Sequence, residues 1–138
     1  MEAINFRPIG YIHSPFKTKE GSPRQSIHTP EVEAIIDIKP EFSAGLLNLE
    51  LYSHIIVLFH FHLSPGYDLV VERPRGDRPG PRGVFSTRSP NRPNGIGLSI
   101  VELVKIEGAR LRIRGVDMLD GTPVLDIKPY DSGLNPAP

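Results

Sequence analysis

Proline and glycine are spread along this chain so densely that they limit the folds it can adopt. The 138 residues include 15 Pro and 13 Gly, roughly a fifth of the chain against about an eighth in ordinary proteins. Proline removes a backbone donor and glycine raises the entropic cost of regular structure, so long helices are not expected. The sequence predicts one folded domain over 1–138, built from short strands and loops, with a flexible tail at 130–138.

The apolar residues between these interruptions form short runs with strand-like patterns. The run 53–62 is the most apolar and is rich in β-branched and aromatic residues, which predicts a central strand. Every second residue from Ile55 would face one side of it, with His54, His60 and His62 on the other. Further strands are predicted at 4–12, 32–38, 97–106, 110–116 and 124–127, one short helix at 40–49, and long loops at 14–30 and 64–94. The pattern predicts an all-β fold, a small closed or partly open β-barrel with long Pro/Gly loops and one short helix.

Charge is balanced over the whole chain but not along it. Sixteen Lys and Arg residues balance sixteen Asp and Glu residues, so the net charge favours neither a nucleic-acid coat nor an anionic membrane surface. The stretch from Arg73 to Arg92 holds six arginines and one acid, Asp77. An anionic ligand is expected to meet this stretch.

Missing sequence features narrow the possible functions. The chain has no cysteine, which excludes disulfides, cysteine-zinc sites and thiol nucleophiles. No signal-peptide pattern opens it, and its longest apolar run, 55–59, is too short to span a bilayer. We expect a cytoplasmic protein with no membrane partner and no DNA partner.

Two polar segments carry the residue types best suited to binding and chemistry. Segment 83–99 places arginines, asparagines and hydroxyl groups between glycines, as recognition of a small polar ligand requires. A solvated, proline-stiffened loop is the alternative interpretation. Segment 117–130 holds Asp117 and Asp126 beside strand-like residues. A carboxylate in such a place needs a hydrogen-bond or ion-pair partner, or else a functional role. Asp120 falls in an Asp-Gly-Thr-Pro turn sequence, which favours a structural role.

His60 and His62 have the spacing of two metal ligands on one strand face. Without cysteine or a well-spaced carboxylate, hydrogen-bonded histidines are the preferred interpretation. No metal is therefore predicted. A small metal-dependent β-barrel enzyme using His60 and His62 is kept as an alternative.

Four separated motifs together resemble one known family. They are GYIHSPFKTKEGSPRQ (10–25), FHFH (59–62), GVFSTRSPNRPNGIGLS (83–99) and DMLDGTPVLDIKPY (117–130), and they resemble the TsaA-like family, whose characterised members include tRNA methyltransferases. The resemblance implies an all-β barrel that binds S-adenosylmethionine as a homodimer. It also implies methylation of the exocyclic N6 of threonylcarbamoyl-adenosine at position 37 of tRNA, next to the anticodon. A module that binds S-adenosylmethionine without catalysis is the alternative.

The resemblance also implies roles for individual residues. Cofactor contacts fall on Pro23, Arg24, Gln25, His62, Leu63, Arg88, Leu98, Asp117, Met118, Leu119 and Asp120. Asp117 or Asp120 would hold the amino group of the cofactor, and Arg88 its carboxylate. The acceptor nitrogen is weakly nucleophilic, so a base is expected. The expected catalytic residues are Asp126, Lys128 and Tyr130. Lys128 and Tyr130 are expected to lie near the same opening of the barrel as the cofactor contacts. Contacts to tRNA fall on Arg73, Arg75, Arg78, Arg82, Arg92 and Asn94.

Two features depart from the family's pattern. Gly95 stands where related sequences often carry proline, which is expected to alter the stiffness of the loop more than its chemistry. Bacterial relatives continue into a further C-terminal domain thought to help hold tRNA. The binding of tRNA by this chain is therefore expected to differ from that of the bacterial relatives.

Overall fold

The fold is built from short strands, as the spacing of proline and glycine requires. The computed structural model describes residues 2–18, 29–72 and 80–138. Its strands are β1 (Gly10–His13), β2 (Glu33–Ile38), β3 (His54–His60), β4 (Val70–Val71), β5 (Arg82–Gly83), β6 (Ile96–Glu107), β7 (Arg110–Arg114) and β8 (Pro123–Pro129). Helical structure in the same ranges is limited to 3-10 turns at Pro40–Leu46, Leu49–Leu51 and Val84–Ser86. No helix in this part of the chain is long and apolar enough to cross a membrane.

Six of the strands close into an antiparallel barrel in the order β1, β2, β7, β6, β3, β8. The long strand β6 serves two neighbours, pairing through residues 96–102 with β3 and through 102–107 with β7. β1 completes the ring, but it meets β8 only through Gly10 and Tyr11. β4 and β5 form a separate two-stranded sheet. The predicted all-β barrel is confirmed, and it is closed.

Alternation along the strands fills the barrel with apolar side chains. β3 buries Ile55, Val57 and Phe59, and β7 buries Leu111 and Ile113, as the two-residue period of a strand requires. Each large aliphatic side chain removed from water contributes about 1.5–3 kcal/mol. The remaining core members are Ile12, Ala34, Ile36, Ile38, Val101, Val116, Met118 and Val124.

Three local predictions differ from the structure. The first strand is shorter than predicted, with Ile4 81% and Phe6 68% exposed, because Pro8 cannot donate to a strand ladder. The helix predicted at 40–49 is two 3-10 turns, since Asn48 between them adopts a left-handed conformation with φ 66°. The loop predicted at 64–94 contains the β4–β5 pair, whose two-residue strands are too short to give a periodic signal.

Candidate functional site

One end of the barrel collects most of the polar motifs. β1, β3 and β7 finish at this end, hereafter the loop end, and β2, β6 and β8 begin there. The connection from β7 to β8 crosses it and is tied to β1 by two backbone bonds, from Gly121 N to Ile12 O (2.8 Å) and from Ile12 N to Thr122 O (2.9 Å). Segments 14–18, 60–63, 95–99 and 115–122 therefore meet around one end of the barrel.

Asp117 is positioned at the loop end by a buried hydroxyl group. Ser99 is only 2% exposed, because residue 99 falls on the inner face of β6. Its Oγ donates a hydrogen bond to Oδ1 of Asp117 at 2.5 Å. This bond satisfies the buried hydroxyl and fixes the orientation of the carboxylate. Sequence reasoning did not single out Ser99, and its inward register in β6 is the signal that identifies it.

Asp120 ties the exit of β1 to the β7–β8 connection. Its Oδ1 accepts a hydrogen bond from the backbone N–H of Ser14 at 3.0 Å, and its Oδ2 lies 3.0 Å from Nζ of Lys17. The bond to Lys17, followed by the bond from Ser14, lowers the pKa of Asp120. Both oxygens of Asp120 are therefore engaged in holding the exit of β1 against the connection.

The two neighbouring histidines do not share a strand face, because β3 ends at His60. His62 lies on the following turn, with its Nε2 3.9 Å from the point where a Cβ on Gly121 would stand. Burial lowers the pKa of His62, and the charge of His60 lowers it further. His62 is therefore neutral at pH 7 and can stand beside a cationic ligand without repelling it. Across residues 2–18, 29–72 and 80–138, no three His, Asp or Glu side chains form a group that could hold a metal ion.

A small cleft of about 190 Å³ opens beside this turn, lined by residues 60, 61, 64–67, 90, 92, 93 and 95. The Nδ1 atom of His60 lies 3.2 Å from the carbonyl oxygen of Gly95. A carbonyl only accepts, so Nδ1 carries the hydrogen and Nε2 the lone pair in neutral His60. The cleft is smaller than the roughly 300–1,000 Å³ of drug-sized sites, so it suits a single ring. An open groove of about 560 Å³ lies beside Asp120 and is lined mainly by residues 13–15 and 17, at and after the end of β1, and by residues 33–35 of β2.

The loop 84–95 before β6, hereafter the arginine-rich loop, is folded by its own hydrogen bonds. Nη1 of Arg92 donates to the carbonyl oxygens of Thr87 and Ser89, each at 3.0 Å. Part of the guanidinium expected to contact tRNA therefore stabilises the loop instead. Arg88 and Asn94 are exposed on the same loop, and Arg82 is half-buried in β5.

The expected catalytic residues lie along β8 and just after it, at increasing distance from the loop end. Asp126 lies opposite Leu58, and its Oδ2 is 2.8 Å from Nζ of Lys128. The backbone N–H of Tyr130 donates to His54 at the opposite end of β3. With a rise of about 3.3 Å per residue, Tyr130 stands about 13 Å farther from the loop end than Asp126 does. Within one chain, Lys128 and Tyr130 therefore lie progressively farther from the loop end, and their expected roles stay a prediction.

The other expected cofactor residues divide between surface and core. Leu63 is 48% and Leu98 42% exposed, whereas Met118 is 1% exposed and packs in the core. Only the backbone of Met118 can therefore face a ligand, and its carbonyl already accepts a hydrogen bond from Oγ of Ser14 at 2.7 Å. Leu119 is half-buried next to it. Pro23, Arg24, Gln25, Arg73, Arg75 and Arg78 lie outside the described residues.

The closed six-stranded barrel, with its polar motifs gathered at one end, defines this chain as a small all-β barrel domain. Residues 11–134 match the family model described as the tRNA-methyltransferase O N-terminal domain. The chain belongs to this family, which confirms the resemblance seen in the four motifs.

Similar proteins show how much of each relative this chain represents. It is 51% identical over 127 residues to a probable S-adenosyl-L-methionine-binding protein of Methanothermobacter thermautotrophicus, covering 92% of this chain and 90% of that protein. It is 47% identical over 140 residues to the tRNA (adenine(37)-N6)-methyltransferase of Mus musculus, covering 94% of this chain and 32% of that protein. The crystal structure of TrmO from Pseudomonas aeruginosa is 40% identical, with a TM-score of 0.81 over 99% of this chain and 60% of that chain. The chain spans less than two thirds of the last two proteins.

Proposed function

We propose that this chain is the S-adenosylmethionine-binding and methyl-transferring part of a tRNA methyltransferase. The proposed acceptor is the exocyclic N6 of threonylcarbamoyl-adenosine at position 37, next to the anticodon of tRNA in the cytoplasm. The proposal rests on the arrangement of side chains at the loop end, where Ser99 donates a hydrogen bond to Asp117 and where burial lowers the pKa of His62. The names of the relatives support it, one as an S-adenosyl-L-methionine-binding protein and another as a tRNA (adenine(37)-N6)-methyltransferase.

The side chains at the loop end fit the charges of S-adenosylmethionine. The carboxylate of Asp117 suits its amino group, and the guanidinium of Arg88 suits its carboxylate. A neutral His62 leaves the sulfonium without a repelling cation. When bound, the cofactor supplies an electrophilic methyl group on sulfur. The protein then contributes alignment of the acceptor nitrogen with that methyl group, and positioning of this kind supplies a large share of catalysis.

The acceptor nitrogen loses a proton during transfer, and Asp126 is proposed to accept it. Asp126 pairs with Leu58, and Leu58 pairs with Leu98, across three adjacent strands. With strands about 4.8 Å apart, the backbone of Asp126 is about 10 Å from that of Leu98. Lys128 steadies the carboxylate through their ion pair. A role for Tyr130 requires a second copy of the chain, because within one chain it lies at the other end of the barrel.

A homodimer is proposed on the outer face of β3 and β6. This face carries an outer apolar stripe, made of Ile56, Leu58, Ile96, Leu98 and Ile100, in which residues 56 and 100, and 58 and 98, are direct cross-strand partners. The three β6 members are 43%, 42% and 38% exposed. Contiguous apolar surface of this kind is typical of subunit contacts.

Replacement of Ile100 by glutamate is expected to convert the dimer into monomers, because a charge at the centre of the contact would be desolvated without a partner. Sedimentation equilibrium measures the change. Leu47→Glu is the matched control, since Leu47 is 82% exposed between the 3-10 turns and away from the stripe. A wild-type protein that stays monomeric at every concentration would remove the dimer from the proposal.

Arg88→Ala is expected to weaken binding of S-adenosylmethionine at least tenfold, about 1.4 kcal/mol, because the cofactor's carboxylate loses its cation. Calorimetric titration measures the affinity. Arg110→Ala is the matched control, since Nε of Arg110 bonds Asp37 at 2.8 Å on the outside of β7, away from the loop end. An equal loss in both variants would contradict the assigned role of Arg88.

The acceptor is tested by methyl transfer to two versions of one tRNA, carrying either threonylcarbamoyl-adenosine or unmodified adenosine at position 37. Mass spectrometry of the digested nucleosides is expected to show one added methyl group only on the first. Methylation of unmodified adenosine would contradict the proposed acceptor. Saturable cofactor binding without methylation of either tRNA would identify a binding module without catalysis.

A further inference from the structure

Phe85 is the most exposed aromatic side chain among the described residues, at 79%. A phenyl ring is among the side chains that gain most from leaving water, so its full display on a folded domain needs a reason. The ring is on the loop end's arginine-rich loop, and neither the core nor the mechanism proposed above uses it. Its surroundings therefore indicate what could cover it.

A hydrogen-bonded turn holds Phe85 outward. It is the middle residue of the 3-10 turn Val84–Ser86, and Val84 beside it is 1% exposed. The N–H of Val84 donates to the carbonyl of Leu69 at 2.9 Å. Thr87 closes the turn by donating to the carbonyl of Val84 from its N–H at 3.1 Å and from its Oγ1 at 2.8 Å. These bonds fix the backbone of the turn with Val84 in its buried position, so Phe85 could take that position only if they broke.

The charge around the Phe85 ring indicates which kind of ligand could bind over it. Residues 81–101 include three arginines and neither Asp nor Glu, and the segment that pairs with them carries two acids, Asp68 and Glu72, so a net positive charge remains. The same loop continues into the small cleft, whose wall includes Phe61 and Tyr67, and Tyr67 is 59% exposed. An apolar protein surface would gain nothing from this excess of positive charge. A polyanion with exposed aromatic bases can use both the positive charge and the exposed aromatic side chains. Binding sites for single-stranded nucleic acid combine these two features.

We infer that Phe85 stacks on a nucleobase of a single-stranded RNA segment bound across the arginine-rich loop. The inference rests on the proposed tRNA substrate and deepens it, since an anticodon loop presents bases that can unstack. Phe85 holds one base while the neighbouring cleft receives another. Because every base has a π face, this contact adds affinity without reading the sequence.

Fluorescence gives a direct test, because the chain contains no tryptophan and Phe85→Trp creates a single reporter. Its fluorescence is expected to be quenched by a synthetic anticodon stem-loop RNA. A fully paired RNA duplex, whose bases are already stacked, is expected to leave it unchanged. Leu47→Trp is the matched control, since Leu47 is equally exposed, at 82%, but lies at the opposite end of the barrel, and it is expected to show no quenching.

Conservative variants separate stacking from simple apolar contact. Phe85→Leu keeps apolar bulk and removes the π face, and it is expected to lower affinity for the stem-loop about tenfold. Phe85→Tyr is expected to bind as the wild type does. The salt dependence of binding is expected to have the same slope in all three proteins, because no phosphate contact is removed. Binding of S-adenosylmethionine shows that each variant is folded.

Each other outcome overturns the inference in a distinguishable way. A wild-type protein that binds neither the stem-loop nor S-adenosylmethionine overturns the proposed function as well. Binding of S-adenosylmethionine without the stem-loop overturns the tRNA substrate and this inference together. Undiminished RNA binding by Phe85→Leu, with no quenching in Phe85→Trp, overturns the inference alone. If Phe85→Glu also dissociates the dimer in that case, Phe85 belongs to a contact between copies of the chain.

Discussion

Gly10→Ala is expected to destabilise the barrel by about 3 kcal/mol or more. A Cβ at residue 10 would stand 2.2 Å from the carbonyl oxygen of Asp37 and 3.1 Å from Cα of Ile38. These are backbone atoms of the paired strand β2, so no side-chain rotation can relieve the overlap. β1 must move instead, and its contact with β8, limited to Gly10 and Tyr11, is what closes the ring.

Urea denaturation followed by circular dichroism measures this effect. Gly45→Ala is the matched control, because a Cβ at residue 45 meets nothing within 4 Å, and its stability is expected to stay within about 0.5 kcal/mol of the wild type. A Gly10→Ala protein as stable as the control would show that β1 can shift at little cost.

Asp117→Asn is expected to weaken binding of S-adenosylmethionine about ten- to hundredfold, because a charge-assisted hydrogen bond to the amino group becomes a neutral one. Folding is expected to change little, since the amide oxygen of asparagine can still accept the hydrogen bond from Ser99. Asp117 lies on the crossing connection and Ser99 on β6, so this bond also links two elements of the loop end. Calorimetric titration gives the affinity, and urea denaturation gives the free energy of unfolding.

Ser99→Ala separates the structural part of this arrangement from the binding part. It removes the buried hydroxyl and keeps the charge of Asp117, so it is expected to cost about 1–2 kcal/mol of stability. Its effect on cofactor affinity is expected to be smaller than that of Asp117→Asn. If Asp117→Asn lost as much stability as Ser99→Ala and bound the cofactor normally, the carboxylate would be a structural group only.

The strands could be predicted because burial on one face imposes a period of two on the sequence. The predicted strands 32–38 and 110–116 overlap β2 and β7, and Gly108 and Ala109 join β6 to β7 in a tight hairpin. Gly108 supplies its positive φ of 63°, a backbone conformation that glycine adopts without strain. The β4–β5 pair could not be predicted, since strands of two residues are too short to show a period, and the 3-10 turns depend more on tertiary packing than on local pattern.

The motifs of the candidate site could be singled out from their polar residue types and from the family resemblance, but their geometry could not. The motifs at 59–62, 83–99 and 117–120 all flank strand ends, and the antiparallel order of the barrel brings those ends together. The distance of Tyr130 from the loop end could not be predicted, because it depends on how far β8 extends beyond Asp126. Ser99 was missed because one hydroxyl in an apolar strand gives a signal only when its register is known.

The crossing connection alternates between the barrel interior and the candidate site. Val116 and Met118 are 0% and 1% exposed, and Asp117 between them bonds Ser99. Ligand binding at this site and folding of the barrel are therefore thermodynamically linked. A ligand that binds only the folded chain raises the free energy of unfolding of the entire barrel. Substitutions at Val116 or Met118 would lower affinity without touching the ligand.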